Sequence, residues 1–384
     1  MQTRIQKTSN QQPVTSNRIM KILISGGGTG GHIFPAIAIA DAIKKKNPDV
    51  DILFVGAKGK IEMEKVPNAG YPIKGLWISG FHRKLTLRNL MFPVKLLSSM
   101  VRSWSIVSRF KPDAVVGVGG FASGPVLEVA TRKGIPALIQ EQNSYAGVTN
   151  KLVSRKADVI CVAYENMDRY FPGQKLKLTG NPVRQDLRDI KATKEEALEY
   201  FGLKPGKKTL LVFGGSLGAR TINEAMAASA DMLKQHPDIQ VLWQAGKLYI
   251  DEFTQSETAQ LPNVQIRPFI DRMDLAYKMA DLVACRAGAL TISELCLVGK
   301  PAILIPFPHA AADHQTKNAM ALVEKGAAFL VKDSEAREVF NKLVLNTIED
   351  GPKLKQLGEN IKTLAKPDAA DTIAEEVIRL AQKQ

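Results

Sequence analysis

A glycine-rich turn between an apolar strand and a helix lets a backbone close on a phosphate, and this chain carries two of them. Lys21-Ile22-Leu23-Ile24-Ser25 runs into Gly26-Gly27-Gly28-Thr29-Gly30-Gly31-His32, and Thr209-Leu210-Leu211-Val212-Phe213 runs into Gly214-Gly215-Ser216-Leu217-Gly218. The helix expected after each turn offers unpaired N–H groups and the positive end of its dipole to an anion. Two such turns can hold two anionic ligands in one cleft. Gly26, Gly28 and Gly31 satisfy G-x-G-x-x-G. A dinucleotide site would also close its second strand with an acid, whereas here that strand runs into Gly56-Ala57-Lys58. A diphosphate or sugar phosphate is therefore the better expectation. His32, directly after the first turn, can serve either as a phosphate donor or as a proton acceptor.

Two further segments follow apolar strands. In Arg286-Ala287-Gly288-Ala289-Leu290-Thr291-Ile292-Ser293-Glu294, a turn, hydroxyls and a carboxylate could meet a diphosphate and a ribose diol together. The spacing by itself favours a capping box, with Thr291 as cap and Glu294 three positions on. His309 and Asp313-His314-Gln315 invite a metal, yet no further Cys or His lies nearby, and an amide such as Gln315 suits sugar hydroxyls. Cys161, Cys285 and Cys296 are scattered, with no Cys-x-x-Cys pair, which fits a reducing cytoplasm. No metal and no cofactor are expected.

The elements that must position these residues come in two sets. Apolar runs at 20–25, 51–55, 73–78, 114–118, 136–140, 158–162 and 175–179 read as strands, and a second set falls at 209–213, 239–243, 264–269, 281–285, 302–306 and 327–331. Helical or loop segments separate them, so the fold class expected is α/β, two Rossmann-like doubly wound parallel-sheet domains. At 384 residues, two domains are also what length suggests. The turn Gly180-Asn181-Pro182-Val183-Arg184 suits a boundary, giving domains at 19–183 and 184–366. Residues 1–18 are polar and read as a disordered extension. An amphipathic helix at about 367–384 has no strand after it.

The net charge of +14 points to an anionic partner. A nucleic-acid module would interleave basic residues with aromatics, but aromatic content is only 6%, so none is expected. The charge is uneven: residues 65–111 hold nine basic residues and no acid. Within that stretch Leu87, Leu90, Met91, Val94, Leu97, Val101 and Trp104 follow helical spacing, while Arg88, Lys95, Arg102 and Arg109 recur every seven residues along one edge. Pro93 breaks or starts a helix here. The pattern fits a core-facing crossover helix with a solvated edge, or a membrane-surface patch that also takes in Leu76, Trp77 and Phe81. No run approaches the roughly 18 apolar residues of a spanning helix.

Taken together, seven segments in order resemble the MurG family, bacterial glycosyltransferases that add N-acetylglucosamine to lipid I to make lipid II. They are Gly27 to His32, Gly119-Gly120-Phe121-Ala122-Ser123-Gly124-Pro125, Glu141-Gln142-Asn143, Gly180 to Arg184, Gly214-Gly215-Ser216, Arg286 to Glu294, and Asp313-His314-Gln315. The resemblance implies a GT-B fold with the site between the domains and the last helix crossing back onto the first. It also implies inverting transfer from UDP-N-acetylglucosamine to the muramyl 4-hydroxyl, with a UDP-N-acetylglucosamine 2-epimerase of the same fold as the rival. By match to the family's motifs, Ile270 contacts uracil through its backbone and Glu294 the ribose. Arg184, Ser216, Ala289, Leu290, Thr291, Ile292 and Ser293 surround the diphosphate and nucleoside. Asn143 and Gln315 meet the sugar, while Thr29, Gly30 and Gly31 complete the site. Gly28, Gly119, Gly120 and Ser123 are assigned to the acceptor's diphosphate. His32 is the expected base, with Glu141 second. The partners implied are lipid I, an anionic membrane on the cytoplasmic side of the plasma membrane, where the protein is peripheral, and other cell-wall synthesis proteins. Two positions depart from many relatives: Gln140 stands where they carry His, and Leu217 where they carry Gln.

Overall fold

Apolar strands buried on both faces dominate the computed structural model, which describes residues 18–80 and 91–383. The expected extension, apart from Arg18, and two residues of the expected patch, Phe81 and Arg88, lie outside the described residues. Strands β1 (Lys21–Ser25), β2 (Asp51–Ala57), β3 (Ile73–Leu76), β4 (Ala114–Gly117), β5 (Ala137–Glu141), β6 (Val159–Val162) and β7 (Leu176–Leu178) form one sheet in the order β3-β2-β1-β4-β5-β6-β7. A second sheet contains β8 (Lys208–Phe213), β9 (Ile239–Gln244), β10 (Val264–Arg267), β11 (Leu282–Cys285), β12 (Ala302–Leu304) and β13 (Phe329–Leu330), in the order β10-β9-β8-β11-β12-β13. Every pairing is parallel. The connections are therefore crossovers, and side chains such as Val115, Val116, Val283 and Ala284 vanish from solvent on both faces.

The shared strand order puts a topological switch point beside the first strand of each sheet. In the first sheet it lies between β1 and β4, and in the second between β8 and β11. Ligands bind open parallel sheets outside the carboxyl ends of the strands at this point. The turns Gly26–Gly31 and Gly119–Gly120 leave the first pair, and Gly214–Gly218 and Gly288 leave the second. The sequence pattern and the topology thus converge on the same two crevices.

Helix Gly30–Lys46 carries no acid in its first turn and Lys44, Lys45 and Lys46 in its last, which complements its dipole. The last helix, Ala369–Ala381, packs against it and buries Ile373, Ala374, Val377 and Leu380 in the core that also holds Ile22, Ile24 and Ile39.

Helix Phe92–Phe110 differs from an ordinary crossover. Pro93 sits in its first turn, so it starts the helix rather than breaking it. Its buried positions include Ser99 and Ser103, whereas Met91 just before it and Val94, Leu97, Val101 and Trp104 along it are 44%, 51%, 68%, 65% and 50% exposed. The expectation of a core-facing apolar stripe is thus reversed. Its basic border is present where described: Lys95 lies over the Trp77 ring and donates to Ser79, and Arg102 is exposed. Leu76, assigned to the same patch, is fully buried, because it ends a strand paired on β2. Among the described residues no helix is long and apolar enough to cross a membrane.

Candidate active site between the two sheets

His32 lies in the first turn of helix Gly30–Lys46, where its Nδ1 pairs with the Thr29 hydroxyl at 3.1 Å. Its other edge rests on the second turn of the same crevice: a Cβ added to Gly119 would fall 3.0 Å from Nε2. Gly119 has a φ of +90°, and neighbouring Gly120, at +83°, leaves no room for a Cβ beside the Gly27 carbonyl, 2.1 Å away. The two turns can lie this close only because both positions lack side chains. Burial pushes the imidazole down to about 4, and the charge of His314, which opens helix His314–Val323 in the second half, pushes the same way. His32 is thus neutral at pH 7 and brought up to a residue of the other domain.

Several expected ligands of the acceptor diphosphate are engaged elsewhere. The Gly28 N–H donates to Glu62 Oε2 at 2.9 Å. Ser123 is buried, and its hydroxyl donates to the Gly120 carbonyl at 3.0 Å. Ser123 therefore shapes the turn, and the amides of Thr29, Gly30 and Gly31 open the helix without intrahelical acceptors.

Glu141 is corrected in the same way. Its Oε1 accepts from Asn143 N and Nδ2 at 3.1 and 3.3 Å, and its Oε2 from Gly147 N and Asn150 Nδ2, both at 2.9 Å. A buried carboxylate with every lone-pair direction occupied organises the loop 141–150; it is not placed to take a proton. Asn143, expected at the sugar, spends its amide in that network, its Oδ1 accepting from Asn318 Nδ2 at 3.2 Å across the cleft. Gln140 joins a buried amide chain: it donates to Asn181, which donates to the Gln142 carbonyl and to Ser293.

In the second half the turn Gly214–Gly218 is open, with Gly215, Ser216 and Leu217 exposed. Gln244, at the end of β9, braces it: its amide donates to the Gly215 carbonyl at 2.9 Å and its Oε1 accepts from Ile270 N at 3.0 Å. The Ile270 N–H is consequently taken by Gln244. Helix Ala289–Val298 is capped at Gly288, with no side-chain cap bond, so the capping-box expectation for Thr291 and Glu294 fails. Glu294 turns inward, accepting from Tyr277 at 2.9 Å and pairing with Arg184 at 3.3 Å. Burial raises its carboxyl above the ordinary range, against the pull of Arg184. Arg184, expected at the diphosphate, is held by the Glu294 carboxylate instead.

Ala289, Leu290 and Thr291 remain half-buried at the helix start. Ile292 packs into the core of the second half, and Ser293 donates to the Ala289 carbonyl while accepting from Asn181, both beside the interdomain cavity. Gln315 has its Oε1 fixed by Phe307 N at 2.9 Å. Arg286 is a brace, donating to the carbonyls of Ile305 and Pro306 and to Asp333. Among the described residues no three His, Cys, Asp or Glu side chains gather as a metal site.

Sequence reasoning passed over Glu62, Gln244, Tyr277 and Asn318. A strand-ending amide beside the glycine turn could have flagged Gln244. Glu62 and Asn318 gave no local signal, because their partners lie 34 and 175 residues away.

Comparison with known proteins shows the family and the fold. Residues 22–162 match the glycosyltransferase family 28 N-terminal domain and residues 209–373 its C-terminal domain. A relative from Flavobacterium psychrophilum is 54% identical over 364 residues, 95% of this chain and 98% of its own. It is described as a UDP-N-acetylglucosamine–N-acetylmuramyl-(pentapeptide) pyrophosphoryl-undecaprenol N-acetylglucosamine transferase. The crystal structure of MurG from Acinetobacter baumannii superposes with a TM-score of 0.76 at 30% identity, covering 94% of this chain and 99% of that one. A UDP-N-acetylglucosamine 2-epimerase from Neisseria meningitidis has a TM-score of 0.66 at 16% identity, covering 94% and 100%, a likeness of fold alone.

Proposed function

The chain belongs to the MurG family of family 28 glycosyltransferases, and from that premise we propose the roles its cleft residues play. The protein is a hexosyltransferase that moves N-acetylglucosamine from UDP-N-acetylglucosamine to the muramyl sugar of lipid I, forming lipid II. The epimerase alternative is not favoured, since its structural relatives share only the fold.

The assignment rests chiefly on the meeting of Arg184, Tyr277 and Glu294 at the carboxyl edge of the second sheet. A raised carboxyl with a tyrosine donor is ready to accept from a ribose diol. When the diol takes over Glu294, the Arg184 guanidinium is released towards the diphosphate. The exposed turn at Gly215 and Ser216 and the start of helix Ala289–Val298 add N–H donors to the departing UDP. Gln315 offers its amide to the sugar.

On the other side, the amides of Thr29, Gly30 and Gly31 take the acceptor's diphosphate. The muramyl 4-hydroxyl attacks the anomeric carbon from the face opposite UDP, with inversion, and gives its proton to His32. The neutral imidazole supplies a free lone pair, and a diphosphate bound beside it raises its proton affinity as the bond forms. This route uses no cofactor.

The protein sits peripherally on the cytoplasmic face of the plasma membrane. Support comes from the exposed row Met91, Val94, Leu97, Val101 and Trp104, a rare feature on a surface that faces only water. The deciding assay supplies labelled UDP-N-acetylglucosamine with and without lipid I. Label appearing in the lipid is the expected result; UDP-N-acetylmannosamine formed without acceptor would overturn the assignment.

A further inference from the structure

Glu62 carries no exposed surface, although it is a carboxylate with no cationic partner among the described ion pairs. Instead it is held by backbone: Oε2 accepts from Gly28 N and Oε1 from Ala57 N, each at 2.9 Å. Gly27 and Gly56 both lack space for a side chain because of it, a Cβ falling 2.3 Å from the Glu62 carboxyl carbon in one case and 2.5 Å from its Cγ in the other. The carboxylate thus lies against the base of the first glycine turn. In a dinucleotide-binding fold the pyrophosphate closes on the backbone of this turn at the helix N-terminus.

We propose that Glu62 is a specificity-determining residue that acts as a built-in anion, filling the base of the first turn so that phosphate can engage only its rim. Two chemical consequences follow. A carboxylate takes the hydrogen bond that a phosphate oxygen would otherwise take from Gly28, and its negative charge repels a second anion placed there. The acceptor's diphosphate is thereby confined to the amides of Thr29, Gly30 and Gly31, the residues adjoining His32 in sequence. At the second turn a Cβ at Gly215 meets nothing within 4 Å, and the one side-chain bond to it among the described residues is the Gln244 amide on the Gly215 carbonyl, so its N–H groups stay free of side chains for the donor's diphosphate. One carboxylate thus distinguishes two turns that look alike in sequence.

The role in transfer rests on the reading of the protein as a lipid I transferase, whereas the anion-exclusion step does not. The test therefore begins with a measurement that needs no activity: calorimetric titration of the full chain with inorganic pyrophosphate, with UDP saturating the donor site. Glu62→Gln keeps the shape and removes the charge. It is expected to bind pyrophosphate about tenfold more tightly than the unaltered protein, the effect of one charge-assisted bond gained in place of a repulsion. Kinetics add the second readout: KM for lipid I rises while KM for UDP-N-acetylglucosamine stays unchanged. If the Gln variant does not fold, Glu62→Asp decides by the same titration, because its shorter carboxylate withdraws from Gly28 and opens part of the base. Unchanged pyrophosphate affinity in a folded variant, with only thermal stability lowered, would overturn the proposal and leave Glu62 a structural brace. Tighter pyrophosphate binding without any lipid I transfer would uphold the exclusion and sink the transferase reading instead.

Discussion

His32 is the expected base and Glu141 the second candidate, and their surroundings separate them. A base needs an unoccupied lone pair in the cleft. His32 keeps one nitrogen for Thr29 and rests its other edge on Gly119, while every oxygen direction of Glu141 is taken by N–H groups of its own loop. His32→Ala is accordingly expected to cut kcat by about 10²–10⁴-fold with lipid I at saturation. Loss confined to lipid I affinity would make it a diphosphate ligand instead. The pH profile offers a second check. The imidazole of the folded protein is held at about 4, below its ordinary 6.5, so the folded state favours the neutral form. Its stabilising effect is complete above pH 6.5 and disappears as pH falls towards 4. Urea midpoints at pH 7 and pH 5 should differ less in His32→Asn than in the unaltered protein. Glu141→Gln should behave oppositely to a base variant, costing about 1–3 kcal/mol of stability while leaving the acid limb of kcat/KM in place. A shifted limb would return Glu141 to the chemistry.

Helix Phe92–Phe110 carries the lesson at the scale of an element. Its heptad of cations and its 3–4 spacing of apolar residues were visible in the sequence, yet periodicity cannot say which face turns inward. Ser99 and Ser103 under the helix and Leu97 and Val101 on top of it settle the matter. Replacing Leu97 and Val101 by Ser should change stability by no more than about 0.5 kcal/mol, as for surface sites, where a buried pair would cost several times that. Cosedimentation with anionic vesicles should weaken markedly in the same variant, and again when Lys95 and Arg102 become Glu. Unchanged vesicle binding would make the face an ordinary surface. Strands were the most legible elements of all: thirteen apolar runs became the thirteen strands of the described residues. β12 and β13 came out shorter than their runs, since only two or three of their residues find ladder partners.

Across the whole molecule, the two halves are joined at the cleft floor by polar contacts rather than by a continuous apolar seam. Ser144 N and Oγ both donate to Asn318 Oδ1 at 3.0 Å, Asn181 reaches Ser293 at 3.0 Å, and Arg188 pairs with Asp371 at 3.1 Å near the crossing of the last helix. Beside them lies an interdomain cavity of about 540 Å³ lined by Tyr164, Asn181, Ser293 and Met320. Polar junctions of this kind let domains rotate at modest cost. Asn318→Ala removes the bonds to both Asn143 and Ser144. The free variant should show a larger radius of gyration by small-angle scattering, brought back by UDP-N-acetylglucosamine, whose proposed contacts come from both halves. A radius identical to that of the unaltered protein would mean these bonds do not hold the closure.

The sequence by itself determined the fold class, the two sets of parallel strands and the two glycine turns, because these follow from local periodicity and from the one residue without a side chain. It also placed His32, Arg184 and Glu294 among the candidates. What only the tertiary structure decided is which groups are already spent. Gly28 is taken by Glu62, Ile270 by Gln244, Glu141 by its own loop, and Ser123 by Gly120. Hydrogen-bonding capacity is finite, and bonds to residues distant in the chain use it up. Spacing along one segment can name a donor or an acceptor, but only the packing of the whole chain shows whether it is still available for a ligand.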